Sequence, residues 1–103
     1  MKYRVAFTRR AQADLRGLFD YLADRFGLRN AQRYVEQIEK ACLSLSAFPN
    51  RGTERSDLRP GLRTMGFRHR VTIAFRVKGD SVGILRILYG GRSAEVAFPN
   101  DQM

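Results

Sequence analysis

Apolar and polar residues change their spacing several times along this chain, and each change predicts a new element. Tyr3, Val5 and Phe7 alternate with Lys2, Arg4 and Ala6, the period of two expected of a short strand with one buried face. Thr8 follows where a hydroxyl would accept a hydrogen bond from the first free N–H groups of a helix. From there Ala11, Leu15, Leu18, Phe19, Leu22 and Phe26 recur at the spacing of one helical face, with Arg9, Arg10, Asp14, Arg16, Asp20 and Asp24 on the remainder. Gly27 is expected to end this helix in the left-handed conformation. The link Gly27-Leu28-Arg29 leads to a second helix with Asn30 as the expected N-cap, and so short a connection makes the two helices antiparallel. Ala31, Tyr34, Val35, Ile38, Cys42 and Leu45 form the apolar stripe of that helix, Arg33, Glu36, Glu39 and Lys40 face outward, and Phe48-Pro49 closes it.

Pro49 to Gly61 is the one long irregular stretch, and a connection of this length in a small domain is often functional. Leu62 to Phe67 is short and strand-like. Val71, Ile73, Phe75 and Val77 alternate cleanly with Thr72, Ala74 and Arg76, and Lys78-Gly79-Asp80 reads as a tight turn. Ser81 to Tyr89 is apolar on both faces, as expected of a central strand, until Gly90-Gly91 breaks it. The order strand, helix, helix, strand, strand, strand predicts an α+β fold in which an antiparallel helical hairpin packs on a twisted, mostly antiparallel sheet. One domain is expected over residues 1–93, with 94–103 as a C-terminal tail.

Composition narrows the setting. A chain of 103 residues that is 44% hydrophobic can close one core without staples. The single cysteine, Cys42, excludes an intramolecular disulfide, and one histidine leaves no zinc set, so no cofactor or metal is expected. Cys42 lies on an apolar stripe and reads as a small buried hydrophobe rather than a nucleophile. Charged Arg9 and Arg10 follow the first strand at once, no apolar run resembles a signal peptide or a membrane span, and a cytoplasmic location is expected.

Charge changes the picture most. Nineteen Lys and Arg against ten Asp and Glu give +9, and arginine's planar fork suits phosphates and carboxylates. Residues 51–76 hold seven arginines against Glu54 and Asp57, so more than half of the net charge lies in a quarter of the chain. Polyanionic or acidic partners are implied, against the plainer alternative of a solvated basic surface.

Several blocks of residues resemble ParE toxins of the RelE/ParE type II toxin–antitoxin superfamily: Tyr3 to Leu15, Phe19-Asp20-Tyr21-Leu22-Ala23, Ala31-Gln32-Arg33-Tyr34-Val35, Phe48-Pro49-Asn50-Arg51-Gly52, Asp57 to Arg63, Phe75-Arg76-Val77 and Ile84 to Arg92. The resemblance implies a toxin neutralised by a ParD-like antitoxin, with DNA gyrase as target. Operator DNA would be reached only indirectly, through the antitoxin. It also admits an alternative, the ribosome-dependent mRNA endoribonuclease chemistry of RelE.

That chemistry needs clustered cations and a group able to move a proton. Arg63, Arg68, Arg70, Arg76 and Arg86 could supply the cations. His69 is the only histidine and sits between two arginines, which disfavour its protonated form, so it reads as a turn or surface residue. Tyr89 closes the core or takes part in chemistry, and the lysines Lys2, Lys40 and Lys78 do not match the RelE-type cluster. No phosphate-binding glycine loop, metal-spaced acidic set, nucleophilic triad or DNA-reading helix is present in the sequence. The expected reading is a non-enzymatic binding toxin. Arg51, Arg59, Arg63, Arg70 and Arg76, with Tyr21 and Tyr34 as apolar anchors beside Met65, are expected to meet the antitoxin. By family likeness alone, Arg86, Tyr89, Arg92 and Phe98 are expected to meet the target.

Overall fold

The computed structural model describes residues 2–98. Strand β1 (Arg4–Phe7) leads through Thr8 into helix α1 (Arg9–Phe26). The Thr8 hydroxyl accepts the Ala11 N–H at 3.1 Å, the expected cap, and donates to the Leu85 carbonyl at 3.1 Å, which ties the helix start to the sheet. Helix α2 (Leu28–Leu43) begins sooner than the sequence suggests. Gly27 alone separates the helices, and with φ 91° it adopts a backbone that a side chain would strain. Asn30 is not the N-cap of α2; it lies inside the helix, and its Nδ2 donates to the Phe26 carbonyl at 2.8 Å, satisfying the end of α1 instead. A 3₁₀ turn over Ser44–Ser46 finishes the hairpin.

The irregular stretch contributes a two-residue strand, β2 (Thr53–Glu54), before β3 (Leu62–Phe67), β4 (Val71–Lys78) and β5 (Ser81–Tyr89). Gly52 admits no other residue there, because a Cβ would lie 2.1 Å from the Thr64 carbonyl oxygen. The five strands form one sheet in the order β1-β5-β4-β3-β2; β1 runs parallel to β5 and the remaining pairs are antiparallel. The β3–β4 hairpin turns through Arg68 (φ 52°) and His69 (φ 59°), with the Arg70 N–H donating to the Phe67 carbonyl at 3.1 Å.

The double-faced hydrophobicity of β5 has a specific cause. Ala74 pairs with Arg86 but Phe75 pairs with Ile84, so Leu85 is an extra residue and the alternation changes phase there. Val82 and Ile84 before the bulge, and Ile87 after it, therefore face the same main core. That core joins the sheet to Ala11, Leu15, Leu18 and Leu22 of α1 and Ala31, Ile38 and Cys42 of α2. Burial pushes the Cys42 thiol up to about 12, consistent with an inert hydrophobe.

A second, smaller core lies apart from the first and contains Leu62, Ala74, Ala94 and Phe98, with Leu58, Leu85 and Ala97 against it. It is closed by a short helix, α3 (Ala94–Ala97), inside the stretch expected to be a tail. Residues 99–103 of that expected tail lie outside the described residues. No helix among the described residues is long and apolar enough to cross a membrane.

Candidate functional site

Four aromatic rings from four different elements meet where the helical hairpin leaves the sheet. Tyr21 of α1 lies 5.8 Å from Tyr89 at the end of β5, Tyr89 lies 6.4 Å from Tyr34 of α2, and Tyr34 lies 5.7 Å from Phe67 at the end of β3. All three interplanar angles are wide or near perpendicular, the edge-to-face geometry that aromatic quadrupoles favour. Arginines border the row. The Arg25 guanidinium sits 4.7 Å above Tyr21, and that of Arg68 lies 5.4 Å from Phe67 and 6.0 Å from Tyr34.

Tyr89 divides two open cavities of about 350 Å³ each. Leu22, Phe26, Tyr34, Gln37, Arg33 and Arg68 surround one, which contains no acidic residue. Gly17, Leu18, Tyr21, Ile87, Asp14 and Arg92 surround the other. Its one carboxylate is already occupied: Asp14 accepts two hydrogen bonds from Arg86, at 2.7 and 3.1 Å, and one from the Ile87 N–H at 2.9 Å. The groove is therefore apolar at its floor and cationic at its rim. Burial, and then Tyr89 beside it, holds the Tyr34 hydroxyl above the usual phenol range, so Tyr34 is neutral at physiological pH.

The residues expected to bind partners fall into two groups. Tyr21 and Tyr34, expected to meet the antitoxin, and Tyr89 and Arg92, expected to meet the target, converge on this one groove. The arginines of the long loop are engaged within the molecule. Arg51 donates to the Ser44 hydroxyl at 2.9 Å, Arg63 donates to the Arg51 carbonyl at 2.9 Å, Arg59 stacks 4.9 Å over Phe98, and Arg76 lies along Gly61. Arg70 stays exposed beside the hairpin, and Met65 packs against the main core. Arg86 is held by Asp14 with only 12% of its side chain exposed, and Phe98 is 4% exposed in the second core.

Phe26, Arg33 and Gln37 belong to the groove and were not among the residues expected to bind partners; Arg68, named only as a cation for the ribonuclease alternative, lines it as well. Phe26 continues the apolar stripe of α1, yet it projects past the hairpin and is 60% exposed. Asn30, Arg33, Tyr34 and Gln37 recur at helical spacing, and this mostly polar stripe beside the apolar one was the available signal. His69 occupies the hairpin turn, and no group of His, Cys, Asp and Glu among the described residues could hold a metal ion.

A helical hairpin on a mixed five-stranded sheet, with a cation-rimmed aromatic groove at its open end, defines a RelE/ParE-type α+β toxin fold. The family of ParE toxins of the type II toxin–antitoxin system parDE matches residues 5–94. The chain is 41% identical to toxin ParE3 of Caulobacter vibrioides over 87 residues, 84% of this chain and 86% of the relative. It is 29% identical to toxin ParE1 of Mycobacterium tuberculosis over 90 residues, 86% of this chain and 91% of the relative. Among solved structures, the chromosomal ParDE TA system from P. aeruginosa superposes with a TM-score of 0.76 at 31% identity, covering 86% of this chain and 97% of that one. The toxin–antitoxin complex RelBE2 from Mycobacterium tuberculosis shares the fold, with a TM-score of 0.65 at 23% identity over 89% and 95% of the two chains. The chain belongs to the ParE toxin family of type II toxin–antitoxin systems.

Proposed function

We propose that this ParE-family toxin acts in the cytoplasm by binding DNA gyrase, without enzymatic activity of its own, and is silenced by a ParD-like antitoxin. The groove astride Tyr89 carries this reading: its apolar floor and arginine rim suit a protein segment with apolar and acidic side chains. The reading is further supported by how the arginines are engaged. Arg86 is paired with Asp14 and so is not free to stabilise a pentacoordinate phosphate, and His69 is held in a turn. Target contact is assigned to Tyr89 and Arg92 at the groove, with Arg86, paired to Asp14, as a support, and Phe98 closing the second core. The domain, 1–93, is extended functionally by α3, which braces the loop through Arg55.

Purified toxin should inhibit gyrase supercoiling and trap cleaved DNA, and addition of the antitoxin should reverse both effects. Cleavage of ribosome-bound mRNA with gyrase unaffected would overturn the binding reading in favour of RelE-type ribonuclease chemistry.

A further inference from the structure

We propose that the cavity enclosed by the start of α1, the second half of β5 and α3 seats the phosphodiester backbone of duplex DNA, held without regard to sequence by Arg10, Arg92 and Arg86. The cavity shares only Arg92 with the groove astride Tyr89, and it adds to the binding reading above a direct contact between the toxin and nucleic acid.

Three elements build it. Arg10 comes from the first turn of α1, Arg86 and Leu88 from β5, and Arg92, Ser93 and Val96 from the segment that forms α3, around an open space of about 400 Å³. No carboxylate lines this space, and the two nearest in the chain are turned to other work. Glu95, the one acid of α3, is drawn to Arg55 at 3.0 Å. Asp14 takes the Nε and Nη2 donors of Arg86, which fixes that guanidinium with 12% of its side chain exposed; among the described residues nothing bonds its Nη1. Arg10 and Arg92 are exposed, and neither forms an ion pair with a described residue. The Ser93 Oγ accepts the Val96 N–H at 3.3 Å, so its own O–H is left to donate. Two uncompensated guanidiniums, a third locked in place and a hydroxyl therefore face one concavity.

This donor set fits phosphates better than a protein chain. A protein segment is anchored by side chains that fill apolar pockets, and here the floor is closed: Leu88 is 1% exposed. Phosphate oxygens are met by arginine forks and hydroxyls, the groups present, and the space is wide enough for a backbone to pass through. Single strands are held largely by stacking on aromatic rings, and none lines the cavity. What is left is the backbone of a duplex, recognised by charge and independent of its bases.

The test uses the full-length toxin and labelled duplexes of about 20 base pairs in two unrelated sequences, followed by fluorescence anisotropy over a salt series from about 50 mM. Arg10→Gln removes one exposed cation, Val96→Glu sets a carboxylate at a side chain that is 79% exposed, and neither residue is used by the groove. Arg29→Gln is the control, because Arg29 lies beyond the far end of α1, roughly 27 Å away along the helix. Both sequences should bind alike. Arg10→Gln and Val96→Glu should each weaken binding about five-fold or more at low salt, and Arg10→Gln should flatten the plot of log affinity against log salt by about 0.9, the share of one phosphate. Melting temperatures should match the parent's and Arg29→Gln should bind as the parent does. Equal losses in Arg10→Gln and Arg29→Gln would overturn the site in favour of a diffuse basic surface, as would unchanged binding in Arg10→Gln and Val96→Glu. Inorganic phosphate that displaces the duplex at constant ionic strength would reassign the cavity to a small anion. Polyglutamate that binds more tightly than the duplex, and loses that affinity in Arg10→Gln, would reassign it to an acidic protein segment.

Discussion

At the scale of the residue, the hairpin turn carries conspicuous backbone strain. Arg68 and His69 both occupy the left-handed region, which asparagine and glycine normally fill and which costs an ordinary L-residue about 1–2 kcal/mol. Arg68 is compensated in part by its contacts with Phe67 and Tyr34, whereas His69 is exposed at the tip. His69→Gly should therefore raise stability by about 0.5–1 kcal/mol, allowing for the freer unfolded chain. A thermal melt should show a rise of several degrees. Toxicity should be unchanged, and a loss of toxicity with the fold intact would return the histidine to the chemistry. The sequence revealed His69 as a turn residue because charge and isolation were visible locally. It could not reveal the positive φ, since nothing in Phe-Arg-His-Arg resembles the Asn-Gly signal of such a turn.

At the scale of the element, the helices and strands were legible because each buries one periodic face: the stripes of α1 and α2 predicted from Leu15, Leu18, Ile38 and Cys42 are the buried ones. What escaped depends on contacts distant in sequence. The phase change of β5 at Leu85 needs Thr8 to donate to the freed carbonyl and Asp14 to accept from Arg86 and the Ile87 N–H. Helix α3 needs the Arg55 clamp, in which one guanidinium bonds Asp57 twice and Glu95 once, all at 3.0 Å. Arg55 holds the Asp57 carboxyl below the usual carboxylate range; Glu95 is held low by its own backbone N–H first and Arg55 second. Both pKa values are depressed on folding, so the clamp is fully present above the ordinary carboxylate pKa of about 4 and is lost as pH falls through the lower folded values. Protection of the α3 amides from exchange, relative to the intrinsic rate at each pH, should fall in acid while that of α2 does not. The Asp14–Arg86 pair is the more consequential link. Asp14→Ala leaves a nearly buried guanidinium and a backbone N–H unpartnered and should cost about 3–5 kcal/mol in denaturant unfolding. Replacing Arg86 with Met as well should restore part of that loss, which a mere packing defect at residue 14 would not allow.

At the scale of the whole molecule, the positive charge divides into two kinds. Much of the surplus between residues 51 and 76 is engaged by contacts within the molecule, through Arg51, Arg55, Arg59 and Arg63, so the loop face inferred from sequence is less free than its composition implies. Charge counts were legible in the chain; the side-chain partners were not, because they lie up to 40 residues away, as Glu95 does from Arg55. Arg33, Arg68 and Arg92 line the groove and Arg25 borders it, while Arg29 and Arg70 are exposed outside its lining. Outer charges steer an acidic partner toward the site, whereas a half-buried aromatic divider holds it once docked, and the two act on different rate constants. Reversing Arg29 and Arg70 to Glu should slow antitoxin association several-fold, most strongly at low salt, with dissociation unchanged. Tyr89→Ala should do the opposite, speeding dissociation with association nearly constant. Surface-based binding kinetics across a salt series separates the two, and a faster dissociation from the Arg29 and Arg70 reversals would place those arginines inside the contact rather than around it.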